Sequence, residues 1–329
     1  MKITVLSGGV GGARFLRGLR AHVQDHLPGS SVTAIVNTGD DMWLTGMRIT
    51  PDLDSIMYTL AGQNDEERGW GRIGETERVS GELRAYGVGW PWFTLGDLDL
   101  GTHITRSHLL RSGLSLADAT DRITSRWDLG VHLIPATNDE VETHVVVDDP
   151  DSANGSNKTK EMHFQEWWTK HRATLPAKKF LQIDVEGSTP APGVVEAILE
   201  ADVVLLAPSN PVVSIGTILG IPGIRDAVAR TAAPVVGISP IIGGAVVRGM
   251  ADACLTAIGV ETSALAVAEH YGSRTAAGVL DAWLVGEEDA GDVGRIEAAG
   301  IRSAAAPLWM RDVATSAAIA AAALDLAGH

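Results

Sequence analysis

The beginning of the chain limits its fold more than any other stretch, because the apolar, β-branched run Ile3 to Leu6 passes directly into Ser7-Gly8-Gly9-Val10-Gly11-Gly12-Ala13-Arg14. An apolar run without alternation reads as a central strand covered on both faces, which implies parallel pairing. The glycines let the backbone turn sharply and bring its amides within reach of a phosphate at a helix N-terminus. Phe15, Leu16, Leu19 and Val23 then form one helical stripe, while Arg14, Arg17 and Arg20 leave the other faces polar. Strand, glycine turn and helix make the opening unit of a doubly wound sheet with an anion-binding end; a tight turn without a ligand is the plainer alternative.

The pattern continues with a second strand, Val32 to Val36, ending in Asn37-Thr38-Gly39-Asp40-Asp41 on the same sheet edge. Past Pro51, the apolar spacing of Leu53, Ile56, Met57 and Leu60 predicts a helix from near Asp52 to Gly62. From Asn64 to Trp92 the chain is polar and punctuated by glycine, with one helix predicted over Glu75 to Tyr86, and further helices over Ile104 to Arg111 and Ser115 to Arg126. Val131 to Ile134 and Val141 to Val147 read as a strand pair, and Asp148 to Lys160 as a loop. Phe180 to Val185, Asp202 to Ala207 and Val235 to Ile238 read as resumed sheet strands, with helices at Val194 to Glu200 and Ile224 to Arg230 between them. An alanine-rich helix from Asp312 to Ala327 either caps the core or pairs two subunits. The expected fold is therefore α/β: a Rossmann-like, doubly wound, mostly parallel sheet over residues 1–62 and 130–329, with an inserted, mainly helical lobe over 63–129.

At 329 residues the chain can bury a sizeable core. Its net charge of −15 repels polyanions, so no nucleic-acid partner is expected, whereas a small anion needs only local amides, arginines or a metal ion. The single cysteine, Cys254, excludes an intramolecular disulfide and a cysteine-based metal site. The apolar run after Lys2 is too short for a signal segment or a membrane span, and a cytoplasmic protein is expected.

The glycine turn fails both common nucleotide templates. No Gly-Lys-Ser/Thr follows it, and the third dinucleotide glycine is Arg14; a ribose-binding acid is also missing from the end of the second strand, where Asn37 stands. Asp40, Asp41, Asp52 and Asp54 supply instead a set of hard oxygen donors suited to Mg²⁺, which would neutralise a bound diphosphate, and one of them could accept an alcohol proton. Asp52 and Asp54 could alternatively be ordinary helix N-caps. Gly96-Asp97-Leu98-Asp99 leads into Thr102-His103-Ile104-Thr105-Arg106, where Arg106 either clamps a phosphate or makes a surface ion pair, and His103 is either functional or packed. Pro208-Ser209-Asn210-Pro211 with Ser214 offers hydroxyl and amide donors at another helix start. In doubly wound sheets the loops at the carboxyl ends of the strands share one crevice, so these segments and Ser239-Pro240-Ile241-Ile242-Gly243-Gly244 should converge.

Taken in order, the glycine turn, Asn37 to Asp41, Pro51-Asp52-Leu53-Asp54 with Met57-Tyr58, Gly96 to Asp99 with Thr102-His103, Phe164-Gln165-Glu166-Trp167, Ala207 to Pro211 with Ser214-Ile215-Gly216, and Ser239 to Gly244 resemble the 2-phospho-L-lactate transferase family over essentially the whole chain, most closely its actinobacterial members. The resemblance implies transfer of a phosphoenolpyruvyl or 2-phospho-L-lactyl unit from a guanosine-diphosphate-linked donor to the ribitol hydroxyl of the deazaflavin Fo. GMP is released with Mg²⁺ present, and the product is (dehydro) coenzyme F-420-0. For actinobacterial members the enolpyruvyl donor is expected. The resemblance further implies that Gly8, Gly9, Gly11, Gly12, Asn37, Thr38, Ser209, Asn210 and Ser214 hold the nucleotide, and that Asp52, Asp97, Leu98, Asp99, Thr102, His103 and Arg106 face the deazaflavin. Asp40, Asp52 and Asp54 are expected to be catalytic, Asp40 and Asp54 to hold Mg²⁺, and the protein to form a homodimer. Where archaeal-type members carry lysine this chain has Leu98, so that lysine's role does not transfer, and Arg106 or Arg111 is the candidate replacement charge. The rival readings are a nucleotide-sugar-binding regulator of the same fold and an NAD-dependent dehydrogenase.

Overall fold

The computed structural model describes residues 1–152 and 158–329. Strand β1 (Lys2–Ser7) is buried from Ile3 onward, and helix α1 (Gly9–His26) returns its Phe15, Leu16, Leu19 and Val23 stripe to the core. Strand β2 (Ser31–Val36) pairs parallel with β1, matching Val5 to Ala34. A short hairpin, β3 (Met42–Leu44) and β4 (Met47–Ile49), and helix α2 (Pro51–Leu60) follow. Helices α3 (Arg78–Ala85), α4 (Asp97–Arg111) and α5 (Leu116–Thr124) lead to β5 (His132–Pro135), which pairs parallel with β2.

Beyond β5 the chain leaves the main sheet. Strands β6 (Glu142–Asp148), β7 (Thr159–His163) and β8 (Ala177–Ile183) form a separate antiparallel sheet in the order β7-β6-β8. This corrects three expectations. The segments near 131–134 and 141–147 belong to different sheets, and the segment near 180–185 does not rejoin the parallel sheet. The expected loop at 148–160 begins inside β6 and ends inside β7, and its residues 153–157 lie outside the described residues. The physical signal is alternation: β6 is buried at every second residue, as a sheet with one covered face requires, whereas β1 is buried without interruption. The small sheet has its own core, in which Trp167 packs on Phe164 and Phe180.

The main sheet resumes after α6 (Val194–Leu199) with β9 (Val203–Leu206), then α7 (Ile215–Gly220), α8 (Ile224–Arg230) and β10 (Val235–Ile238). A two-residue hairpin, β11 (Ile241–Ile242) and β12 (Ala245–Val246), precedes α9 (Ala251–Ala257) and α10 (Ala264–Tyr271). Strand β13 (Ala282–Gly286), α11 (Val293–Ala298), β14 (Arg302–Ala306) and α12 (Val313–Ala327) complete the chain. The seven strands run β14-β13-β10-β9-β1-β2-β5, and every pairing is parallel. Strand order reverses between β1 and β9, which places a doubly wound sheet's ligand crevice outside the ends of those two strands. Apolar helices cover both faces, forming two large cores. Helix α12 caps one of them: Gly18 of α1 lets the backbone at Ser316 and Ala317 come close, and Ile319, Ala320, Ala323 and Leu324 are buried. No helix of the described residues is long and apolar enough to cross a membrane.

Candidate active site

The reversal point is built around the glycine turn. Gly8 is the extended N-cap of α1, and lacking a side chain it leaves the first amides of the helix uncapped. Ser209, just past β9, clamps Gly8 itself: its hydroxyl accepts from the Gly8 N–H at 3.0 Å and donates to the Gly8 carbonyl at 2.7 Å. A Cβ at Gly8 would lie 2.6 Å from Asp52 Oδ2 and 2.8 Å from Ser214 Cβ, and one at Gly11 would lie 2.5 Å from the Pro208 carbonyl oxygen. Gly9 has φ +60, a backbone conformation that favours glycine. The glycines thus let three strand-end segments and the start of α2 close on one another. Of the segments expected to converge, Ser239 to Gly244 and Gly96 to Arg106 make no hydrogen bond to the turn among the described residues; Gly243 donates to Asp289 at 2.9 Å and Arg106 to Asp54.

Asn37 and Asn210 are both used internally. Asn37 Nδ2 donates to Asp52 Oδ2 at 2.9 Å and its Oδ1 accepts from Gly39 N–H at 3.0 Å, so it fixes both Asp52 and the turn leading to Asp40. Asn210 Oδ1 accepts from the Val212 and Val213 amides ahead of α7, and its Nδ2 faces the Cys254 sulfur at 3.4 Å. Burial pushes the Cys254 thiol up to about 12, partly offset by that contact. Ser214 is the N-cap residue of α7 but does not cap it with its side chain, and its Cβ and Oγ lie against Gly8. Thr38 is buried, and its hydroxyl lacks a protein partner.

Helix α2 contributes two aspartates in its first turn, and neither acts as an N-cap. Asp52 points at the glycine turn. Asp54 points the other way and is gripped by the buried guanidinium of Arg106: Nη2 bonds Oδ1, Nη1 bonds Oδ2 at 3.1 Å, and Thr50 Oγ1 donates to Oδ2 at 3.1 Å. His103 Nδ1 stands 3.5 Å from the same carboxylate, and its Nε2 stands 3.2 Å from Asp99 Oδ1, to which the Tyr58 hydroxyl donates at 2.7 Å. Asp54, Asp99 and His103 offer atoms close enough for a metal, but Arg106 already balances Asp54. Burial opposes charge on Asp99, yet His103, Tyr58 and Arg106 outweigh it and lower its carboxyl below the ordinary value. Arg106 is 2% exposed, which overturns the surface ion pair considered for it. It is not a replacement charge for Leu98, and Arg111 donates to the Gly46 carbonyl beside Trp43.

The segment expected as the loop Gly96 to Asp99 is the first turn of α4. Its alternate residues separate: Asp99, Thr102, His103 and Arg106 are buried, whereas Leu98 is 42% exposed and Asp97 turns to Thr76 Oγ1 and the Val79 amide, securing the start of α3.

The other acidic group is not balanced in this way. Asp40, Asp41 and Asp52 are all buried; Asp40 Oδ1 and both Asp41 oxygens lack hydrogen-bond partners, and the cation facing Asp41, Arg48, lies 3.6 Å away. Burial raises the Asp40 carboxyl well above its ordinary value, with Asp52 and Asp41 adding repulsion. Burial likewise raises Asp41, despite Arg48 and Arg106. Asp52 is raised to about 6 by burial, offset by its bonds from Asn37 and the Gly9 amide. Buried hard oxygens with unpaired lone pairs suit a divalent cation such as Mg²⁺, whereas the described residues whose ligand atoms lie within 4.8 Å of one another are Asp54, Asp99 and His103.

Comparison with known proteins settles the family. A family model described as 2-phospho-L-lactate transferase CofD matches residues 3–306. The chain belongs to this family. A phosphoenolpyruvate transferase from Thermobifida fusca is 56% identical over 332 residues, covering 99% of this chain and 98% of its own. One from Streptomyces griseus is 53% identical over 327 residues, covering 99% and 98%. Among solved structures, protein BH3568 from Bacillus halodurans aligns over 98% of this chain and 99% of its own, with a TM-score of 0.62 at 18% identity. That likeness concerns the fold. This member of the transferase family has site features that motif reading missed: Arg48 behind Asp41, Tyr58 on Asp99, and the unpaired state of Asp41. Arg48 was signalled only by its place in the Met42 to Ile49 hairpin, where a charged residue follows a Thr45-Gly46 turn.

Proposed function

We propose that this transferase moves a phosphoenolpyruvyl unit from a guanosine-diphosphate-linked donor to the ribitol hydroxyl of the deazaflavin Fo, releasing GMP and forming dehydro coenzyme F-420-0. The observation that carries the reading is the pair of buried, unpartnered acids Asp40 and Asp41 beside Asp52, whose own carboxylate lies against the Gly8 turn. The amides at the start of α1 bind the diphosphate, with Ser209 and Ser214 shaping that end. Asp40, with Asp41 behind it, holds Mg²⁺, which when bound neutralises diphosphate charge. Asp52 holds the acceptor hydroxyl and takes its proton: a carboxylate raised to about 6 is closer to a working general base than an ordinary aspartate. The deazaflavin lies against the exposed first turn of α4 at Asp97 and Leu98, while Asp99, Thr102, His103 and Arg106 support that turn from inside. The enolpyruvyl donor is favoured over the lactyl one by the names of the relatives. The same reading includes a cytoplasmic homodimer.

Incubation of the protein with Fo, Mg²⁺ and each guanosine-diphosphate-linked donor, followed by mass spectrometry, tests the reaction. Dehydro coenzyme F-420-0 plus GMP from the enolpyruvyl donor is the expected result; product from the lactyl donor alone reverses the donor assignment. Titration calorimetry showing binding of a UDP-sugar and none of GDP or Fo replaces the enzyme reading with a regulator. Light scattering checks the dimer.

A further inference from the structure

Two guanidiniums beside the glycine turn have no carboxylate of their own. On α1, Val10, Arg14 and Arg17 follow one another on one face; on α2, Asp52, Ser55 and Thr59 do the same, and the two helices pack together. Between them and the segment 64–71 lies a pocket that Val10 borders and that Arg14, Ser55, Asp65, Glu66, Trp70 and Arg248 line. Arg17, further out, is matched by Glu66 at 2.6 Å, and Asp65 Oδ1 accepts from the Glu67 and Arg68 amides. Among the described residues, neither Arg14 nor Arg248 makes a hydrogen bond or ion pair with a carboxylate. Burial and the nearby Arg248 together lower the Arg14 guanidinium from its ordinary value, although Glu66 partly offsets them. The Arg248 side chain meanwhile packs against Gly69, on the far wall. Three guanidiniums, Arg14, Arg17 and Arg248, thus line a pocket that holds two carboxylates, Asp65 and Glu66, and this excess of positive charge marks a place for an anion.

We infer that Arg14 and Arg248 bind the carboxylate of the donor's three-carbon acid and so set the enzyme's preference for an acidic transferred group. The inference rests on the proposed function. The diphosphate occupies the glycine turn at Gly8 and Asp52, and Ser55 lies one helical turn along α2, about 5 Å away. A three-carbon acid esterified to the outer phosphate spans a similar distance to its carboxylate. Ser55 adds a hydroxyl donor, the Tyr58 hydroxyl being taken up by Asp99; of the two carboxylates lining the pocket, Glu66 is paired with Arg17 and Asp65 accepts from backbone amides.

Titration calorimetry with three probes tests this: GDP, GDP esterified on its outer phosphate with lactate, and the same ester made with lactamide, which differs only in lacking the negative charge. Wild-type protein is expected to bind the lactate ester about tenfold tighter than the lactamide ester. Arg14→Gln, Arg248→Gln and the double variant should bind both esters alike and GDP as wild type does, with unchanged thermal melting. Variants that keep the wild-type preference overturn the inference while leaving the function reading intact. Variants that lose GDP and both esters equally place the arginines on the diphosphate and overturn it too. A wild-type protein that binds none of the three probes overturns the function reading, and the inference with it.

Discussion

Two aspartates of α2, two residues apart, sit in opposite electrostatic surroundings. Asp54 enters a closed set in which Arg106, His103, Thr50 and, through Asp99, Tyr58 supply charge and donors. Asp52 enters an open set with Asp40 and Asp41, where one amide side chain and one backbone N–H face it and oxygens remain unpaired. The closed set behaves like structure: a buried ion pair whose opposite charges balance within the protein. The open set is stable only when protons, a cation or a substrate supply what the protein omits.

Substitutions can break or sharpen this contrast. The largest effect is expected from Asp52→Asn, which keeps the shape and should reduce transfer by about a thousandfold or more while leaving the fold intact, measured by product formation and circular dichroism. Full activity in that variant removes Asp52 from the chemistry. Asp54→Ala leaves Arg106 buried and unpaired, and should cost about 3–5 kcal/mol in urea denaturation. A cost near zero would mean the closed set is not structural. Gly8→Ala drives a methyl group into Asp52 and Ser214, and should lower stability by about 1–3 kcal/mol together with nucleotide affinity.

The next difference is one of pH. The Asp52 carboxyl lies at about 6 in the folded protein, above the ordinary value near 4 of the unfolded chain, so its contribution to stability is fully present below about pH 4 and is lost as pH rises through about 6. Melting temperature should therefore gain more from added Mg²⁺ at about pH 7.5 than at about pH 5, and Asp52→Asn should flatten the dependence. Equal Mg²⁺ effects at both pH values would argue against the cation occupying the open set. The smallest effect is expected from Asp97→Ala at the α3 contact, about 1 kcal/mol by thermal melting.

The parallel sheet was legible because β1, β2, β9 and β10 are short β-branched and apolar runs without polar alternation. The small sheet was misread because β6 and β8 are half-exposed strands whose partners cannot be told from their own residues. The motif residues around the turn were legible as a group, since glycine density and aspartate pairs are local signals. Their division of labour was not: Asn37 and Asn210 look like ligand donors in sequence and are used as internal braces.

The sequence by itself determined the strand, glycine turn and helix at the N-terminus, the family, and the presence of several acids near the crossover point, because each depends on short spacings or on ordered blocks. Only the tertiary structure decided which acid is balanced. Arg106 lies 52 residues from Asp54 and Arg48 lies seven from Asp41, yet the distant guanidinium makes the bidentate bond and the near one stands off at 3.6 Å. Charge compensation depends on distance and burial in space, and neither is written in the order of residues along the chain.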